Sequence, residues 1–95
     1  MADRTIEILT REGRPWRVDG AKFAAMQAAL MAALPSQPPG LTVAQLKEAL
    51  LPGLDADLFP RGDKAGWWIK AVQLDHEARG IIARAPGSPV RLYRL

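Results

Sequence analysis

The sequence predicts one small α+β domain with three helices, an N-terminal β-hairpin and a C-terminal β-hairpin. Apolar residues recur at helical spacing in three segments, near 21–34, 43–51 and 64–79. Towards both ends of the chain they alternate with polar residues, as in half-buried strands. The 95 residues, 48% hydrophobic and 24% charged, have an ordinary globular composition and suffice for one core.

The first strands are expected to form a separate feature of the domain. Residues 1–20 predict a β-hairpin arm, with its turn at Glu12-Gly13, and residues 21–95 predict the main unit. Such an arm covers the domain or contacts a second subunit.

Capping residues predict where the first two helices begin. Asp19 is a natural N-cap for the alanine-rich first helix, which is expected to end near Pro35. Thr42 and Gln45 have the spacing of a capping box at the start of the second helix. Leu41, just before this box, is expected to form a one-residue bridge strand.

A connection of twelve residues, 52–63, separates the second helix from the third. We interpret Asp55 and Asp57 as turn and cap residues, because they lie too close together for an acid–base pair. Asp63 is expected to cap the third helix.

The third helix is expected to be apolar on almost every side. At 100° per residue, six apolar residues share one broad face: Trp67, Trp68, Ala71, Val72, Leu74 and Ala78. The polar residues occupy one narrow wedge: Lys70, Gln73 and Glu77. Gly80 is expected to end the helix in the left-handed conformation.

Residues 77–84, Glu-Ala-Arg-Gly-Ile-Ile-Ala-Arg, resemble the junction between recognition helix and wing in many bacterial winged-helix regulators. In those proteins a helix ends in Glu-x-x-Gly, two aliphatic residues begin the strand, and an arginine follows. The element order over residues 21–95 also resembles a winged helix-turn-helix domain. This resemblance implies a three-helix core with a C-terminal β-hairpin wing, and binding to duplex DNA.

The chain also resembles a family of small, uncharacterised bacterial proteins. That resemblance rests on Asp57-Leu58-Phe59-Pro60, on Lys-Ala-Gly-Trp-Trp-Ile-Lys at 64–70, and on Val72-Gln73-Leu74-Asp75. It supports the fold and implies no activity.

Three features depart from the pattern of a DNA-reading winged helix. The connection before the third helix has twelve residues, whereas a helix-turn-helix uses about three or four. Glu77 stands among the polar residues that would meet DNA, and His76 stands where an aliphatic residue is usual. The orientation of the third helix therefore depends on how this connection folds.

Positive charge is concentrated in the last third of the chain. Residues 1–60 have six basic and seven acidic side chains, whereas residues 61–95 have seven basic and three acidic ones. A basic segment of this kind is typical of a surface that contacts phosphate. The same charge also serves solubility, and on a hairpin it protects an exposed edge against strand addition.

The first functional hypothesis is a homodimeric DNA-binding protein, such as a small regulator, that binds duplex DNA through the third helix and the basic wing. Lys70 and Gln73 are expected to contact bases, Gln73 through paired hydrogen bonds to adenine. The residues expected to contact DNA, mainly at phosphates, are Lys64, Lys70, Gln73, Arg79, Arg84, Ser88, Arg91 and Arg94.

The alternative is a winged-helix interaction or dimerisation module that does not bind DNA. Its partner would be a second copy or an unidentified protein, and a homodimer is expected because winged-helix regulators commonly dimerise. The residues expected at that interface are Trp16, Trp67, Trp68 and Ile69.

Enzymatic activity is not expected from this sequence. It has no cysteine and a single histidine, His76, and no serine or threonine lies in a nucleophile motif. No metal site, glycine-rich phosphate loop or other cofactor site is predicted. The start of the chain has no apolar signal core and no segment is apolar enough to span a membrane, so a cytoplasmic location is expected.

Overall fold

The computed structural model describes residues 5–8 and 16–95, an α+β fold with three helices and two antiparallel sheets. The strands are β1 (Thr5–Ile8), β2 (Trp16–Asp19), β3 (Leu41–Thr42), β4 (Ile82–Arg84) and β5 (Arg91–Arg94). The helices are α1 (Gly20–Ala33), α2 (Val43–Leu50) and α3 (Ala65–Ala78), and Leu51–Gly53 and Pro60–Gly62 form 3-10 turns. None of these helices is long and apolar enough to cross a membrane.

The N-terminal hairpin pairs β1 with β2 and packs into the core. Ile8 lies opposite Trp16 in an antiparallel register, whereas the predicted turn at Glu12-Gly13 lies outside the described residues. Ile8 and Val18 are 1% and 6% exposed, and both belong to the same buried cluster as the apolar residues of the three helices. The hairpin and the helical unit therefore share one core.

The predicted caps of α1 and α2 are confirmed. Asp19 Oδ1 accepts a hydrogen bond of 3.0 Å from the backbone N–H of Lys22. The hydroxyl of Thr42 accepts from the Gln45 N–H at 3.1 Å, and the Gln45 side chain accepts from the Thr42 N–H at 2.9 Å. Each bond satisfies a backbone donor that has no partner within its helix.

The second sheet has the order β3–β5–β4, with β5 in the centre. Leu92 of β5 is completely buried and lies opposite Leu41 of β3. Gly40 enters β3 with φ +81°, and a Cβ at this position would lie 2.0 Å from the Leu92 carbonyl oxygen. Glycine is therefore needed where the chain passes against β5.

The long connection between α2 and α3 has a defined structure. Asp55 Oδ1 accepts hydrogen bonds from the N–H groups of Asp57 and Leu58, at 2.8 and 3.2 Å, which confirms the turn role of Asp55. Phe59 is 2% exposed and packs edge-on against Trp68, with ring centroids 6.2 Å apart. This contact anchors the connection to α3.

The predicted capping role of Asp63 is wrong. The N–H of Asp63 donates to the carbonyl of Pro60 at 2.9 Å, so Asp63 closes the preceding 3-10 turn. Lys64 occupies the N-cap position in the left-handed conformation, with φ 57° and no hydrogen bond from its side chain to the helix. The N-terminus of α3 therefore has no side-chain cap.

The predicted faces of α3 are wrong in part. Eight of its residues are buried: Ala65, Trp68, Ile69, Ala71, Val72, Gln73, Asp75 and His76. Trp67 and Ala78, expected on the apolar face, are exposed, whereas Gln73, expected in the polar wedge, is 1% exposed. The reason is that α3 contacts α1, α2, β1 and β4, and these neighbours leave only one narrow stripe open.

Candidate functional site

A polar network joins α3 to the second hairpin. Gln73 Nε2 donates to Glu77 Oε1 at 3.1 Å, and the Glu77 carboxylate accepts from both Nη2 and Nε of Arg84. The hydrogen bond to Glu77 raises the pKa of Arg84 above its usual value, and the attraction between the two charges adds to this effect. The Arg84 charge is thus neutralised within the protein.

The buried position of Gln73 corrects its expected role as a base-reading residue. Its Nε2 donates to Glu77, and its buried Oε1 has no hydrogen-bond partner among the residues that the structure describes. Gln73 therefore cannot reach a base edge from this conformation. Of the two expected base-contacting residues, Lys70 is the one exposed to solvent.

A second charged group on α3 is centred on Asp75, two residues before Glu77. Arg79 Nε donates to both oxygens of the Asp75 carboxylate, at 3.0 and 3.1 Å. His76 Nδ1 lies 3.0 Å from Asp75 Oδ2, and the imidazole packs edge-on against Phe23. Asp75 and His76 are each 3% exposed. Arg79, which was expected to contact phosphate, is therefore already paired with the Asp75 carboxylate.

The strand register determines the faces of the β4–β5 hairpin from which its arginines start. Arg84 lies opposite Leu92, and Arg94 lies opposite Ile82. Residues directly opposite in an antiparallel pair share a face, so both arginines start from the face that carries the buried Ile82 and Leu92. Of the three arginines of the β4–β5 hairpin, Arg91 alone starts from the opposite face.

Arg94 is also tied to the protein at the end of α1. Its Nε donates to the Leu34 carbonyl at 3.2 Å, and its backbone N–H donates to the Pro35 carbonyl at 2.9 Å. Of the predicted wing contacts, Ser88 is exposed near the hairpin tip and Arg91 is half-buried. Arg94 is exposed as well, and among the described residues Arg84 is the one arginine of the β4–β5 hairpin that pairs with a carboxylate.

All four lysines of the chain lie around the first half of α3. Lys64 and Lys70 belong to its N-cap and its second turn, and Lys22 of α1 lines a cleft with Lys64. Lys47 of α2 has its Nζ 3.9 Å from the position of a Cβ built on Gly66. Among residues 5–8 and 16–95, none of the four forms an ion pair. We call these residues the lysine ring.

Two members of the lysine ring were missed by sequence reasoning. Lys22 and Lys47 come from α1 and α2, in the half of the sequence that has no net positive charge. Nothing in the local pattern around either residue signals proximity to α3. Only the packing of the three helices brings these charges together.

The tryptophan pair occupies the same region. Trp67 is 47% exposed and Trp68 is 7% exposed, and their rings are edge-to-face with centroids 4.9 Å apart. Ile69 is completely buried, so neither it nor Trp68 offers the interface surface that was expected of them. The side chain of Trp16 lies outside the described part of the chain.

The described residues contain no group of three or more histidine, cysteine and acidic side chains arranged to hold a metal ion.

In comparisons with known proteins, the model of a family of unknown function matches residues 5–92. No curated protein and no solved structure matches the chain.

Proposed function

The chain belongs to DUF6958, a family of unknown function, and we propose that it is a winged-helix protein that binds duplex DNA through phosphate contacts. The order α1, β3, α2, α3, β4, β5 supports the winged-helix fold, as does the central place of β5 in its sheet. In that fold α3 would be the recognition helix, and β4 and β5 would be the wing.

The lysine ring is the observation that carries this proposal. It places four ammonium groups from three helices around the start of α3, none of them in an ion pair with a described carboxylate. No side chain caps this helix, and its first turn has no acidic residue, so the partial positive charge of the N-terminus adds to that of the lysines. Arg91 and Ser88 of the wing would extend the contact along the DNA backbone.

Binding of this kind carries little sequence information. Of the two residues expected to contact bases, Gln73 is buried and only Lys70 is exposed. Arg79 and Arg84 are paired with carboxylates. Contacts to phosphates position a protein on DNA without selecting its sequence. We therefore expect affinities that depend more on salt than on the sequence of the duplex.

Fluorescence anisotropy of labelled random duplex DNA tests the proposal. About four phosphate contacts predict a roughly hundredfold loss of affinity between about 50 and about 200 mM salt. Lys47→Ala and Lys70→Ala should each weaken binding several-fold at the lower salt concentration.

The matched control is Arg17→Ala, which removes one positive charge from an exposed residue of the N-terminal hairpin. It should leave the affinity almost unchanged, because Arg17 lies outside the lysine ring. The proposal is wrong if no duplex binds at low salt, or if Arg17→Ala weakens binding as much as the lysine variants.

A second candidate is a homodimerisation module. It is favoured by the open stripe of α3, where the exposed Trp67 and Ala78 flank the half-buried Leu74. An apolar stripe of this kind is typical of a surface that packs against a partner.

A further inference from the structure

A cleft lies beside the start of α3. Its walls come from Lys22 of α1 and from Lys64, Trp67 and Trp68 at the first turn of α3, and its volume is about 450 Å³. This volume falls within the range of sites for small ligands, roughly 300 to 1,000 Å³. We call it the Trp–Lys cleft.

The side chains of the Trp–Lys cleft combine two kinds of recognition. Trp67 keeps almost half of its surface open, while the buried Trp68 stands edge-on against it and holds it in place. Lys22 and Lys64 add two ammonium groups, neither of which is in an ion pair with the described carboxylates. A planar ring attached to an anionic group matches both features.

A nucleotide has this chemistry, since its base is planar and its phosphate is anionic. Bases stack on aromatic side chains irrespective of their identity, because every base has a π-face. A base inside a duplex has both faces covered by its neighbours, whereas an unpaired base has a face free to lie against an indole. A cationic ligand is disfavoured by the two lysines.

We propose that the Trp–Lys cleft holds an unpaired nucleotide of a DNA strand, with the base against Trp67 and the adjoining phosphates between Lys22 and Lys64. This proposal rests on the proposed DNA binding, because Lys64 belongs to both the cleft and the lysine ring. It adds a substrate class: DNA in which a duplex adjoins a single-stranded segment. Such DNA would place its paired part on the lysine ring and its first unpaired base in the cleft.

The expected consequence is a preference for tailed over blunt duplexes. A stacked base typically strengthens binding by roughly tenfold or more. The test compares two labelled duplexes of the same sequence by anisotropy, one blunt and one with a single-stranded tail. The tailed duplex should bind roughly tenfold more tightly.

Three variants separate stacking from charge. Trp67→Ala should abolish the preference for the tailed duplex, whereas Trp67→Phe should keep most of it. Lys47→Ala lies outside the cleft and serves as the matched control. It should weaken binding of both duplexes by the same factor, so that their ratio is preserved.

The outcomes distinguish this inference from the proposal on which it rests. If both duplexes bind equally, or if Trp67→Ala keeps the preference, the inference is wrong and duplex binding stands. If neither duplex binds at low salt, both are wrong. Displacement of tailed DNA by a free mononucleotide at low concentration would assign the cleft to a soluble nucleotide and overturn the assignment to a strand.

Discussion

At the scale of single residues, the internal hydrogen bonds of the basic side chains come from arginines. Arg79 and Arg84 donate to carboxylates, and Arg94 donates to a backbone carbonyl, whereas the four lysines form no ion pair with the described residues. The planar guanidinium presents several donors in a fixed geometry and suits such internal bonds, while an ammonium group is a mobile, well-hydrated point charge. Arg17, Arg61, Arg91 and Arg94 likewise have no carboxylate partner among the described residues, so both residue types leave positive charge available to a partner.

Gly40 provides a prediction at this scale. Gly40→Ala should lower the free energy of unfolding by about 2 kcal/mol or more, because the new Cβ would clash with the Leu92 carbonyl at a left-handed backbone position. Gly53→Ala is the control, since a Cβ there meets nothing within 4 Å. It should change stability by less than about 1 kcal/mol. Urea unfolding followed by circular dichroism measures both, and equal effects would contradict the prediction.

At the scale of elements, apolar packing along its whole length and hydrogen bonds from its second half hold α3 in place. The Glu77–Arg84 pair joins α3 to β4. Because folding raises the pKa of Arg84, the contribution of the Arg84 proton to stability is complete below the pKa of the unfolded arginine. It is lost only as the pH rises through the still higher pKa of the folded state, in strongly alkaline solution.

The N-terminal hairpin provides a prediction at the scale of elements. Ile8→Ala should lower the free energy of unfolding by about 2 to 4 kcal/mol, because Ile8 is 1% exposed and its removal leaves a cavity in the shared core. Ile6→Ala lies on the same strand at 36% exposure and should cost less than about 1 kcal/mol. Thermal unfolding of the two variants compares them directly. A negligible effect of Ile8→Ala would mean that the hairpin is a peripheral arm.

At the scale of the whole molecule, two uses of the open side of α3 compete. The lysine ring surrounds the first half of the helix and favours an anionic partner, whereas the stripe of Trp67, Leu74 and Ala78 favours an apolar one. A homodimer that packed along this stripe would cover Trp67 and close the cleft to a base. The oligomeric state therefore bears on both functional hypotheses.

Sedimentation velocity tests the dimerisation candidate. If that candidate is correct, the protein sediments as a dimer, and Ala78→Glu converts it to a monomer by placing a charge in the apolar stripe. Ala49→Glu places the same charge on an exposed residue of α2 and should leave the dimer intact. A monomer at all concentrations would contradict the dimerisation candidate and leave Trp67 open to a ligand.

Features that depend on near neighbours were predictable from the sequence alone. The cap at Asp19, the capping box of Thr42 and Gln45, and the turn at Asp55 all follow from hydrogen bonds between residues two or three positions apart. The α+β class and the order of helices and strands after residue 20 follow from periodicity, which is also a local property.

What only the tertiary structure decided lies on α3 and around it. Helical spacing assigns Trp67 and Gln73 to faces of the helix but does not determine which face meets another element, and the contacts with α1, α2, β1 and β4 reverse both assignments. The approach of Lys22 and Lys47 to the start of α3 likewise depends on how three helices pack. Burial and charge clustering depend on contacts between residues far apart in the chain, whereas periodicity reports only the geometry of one element at a time.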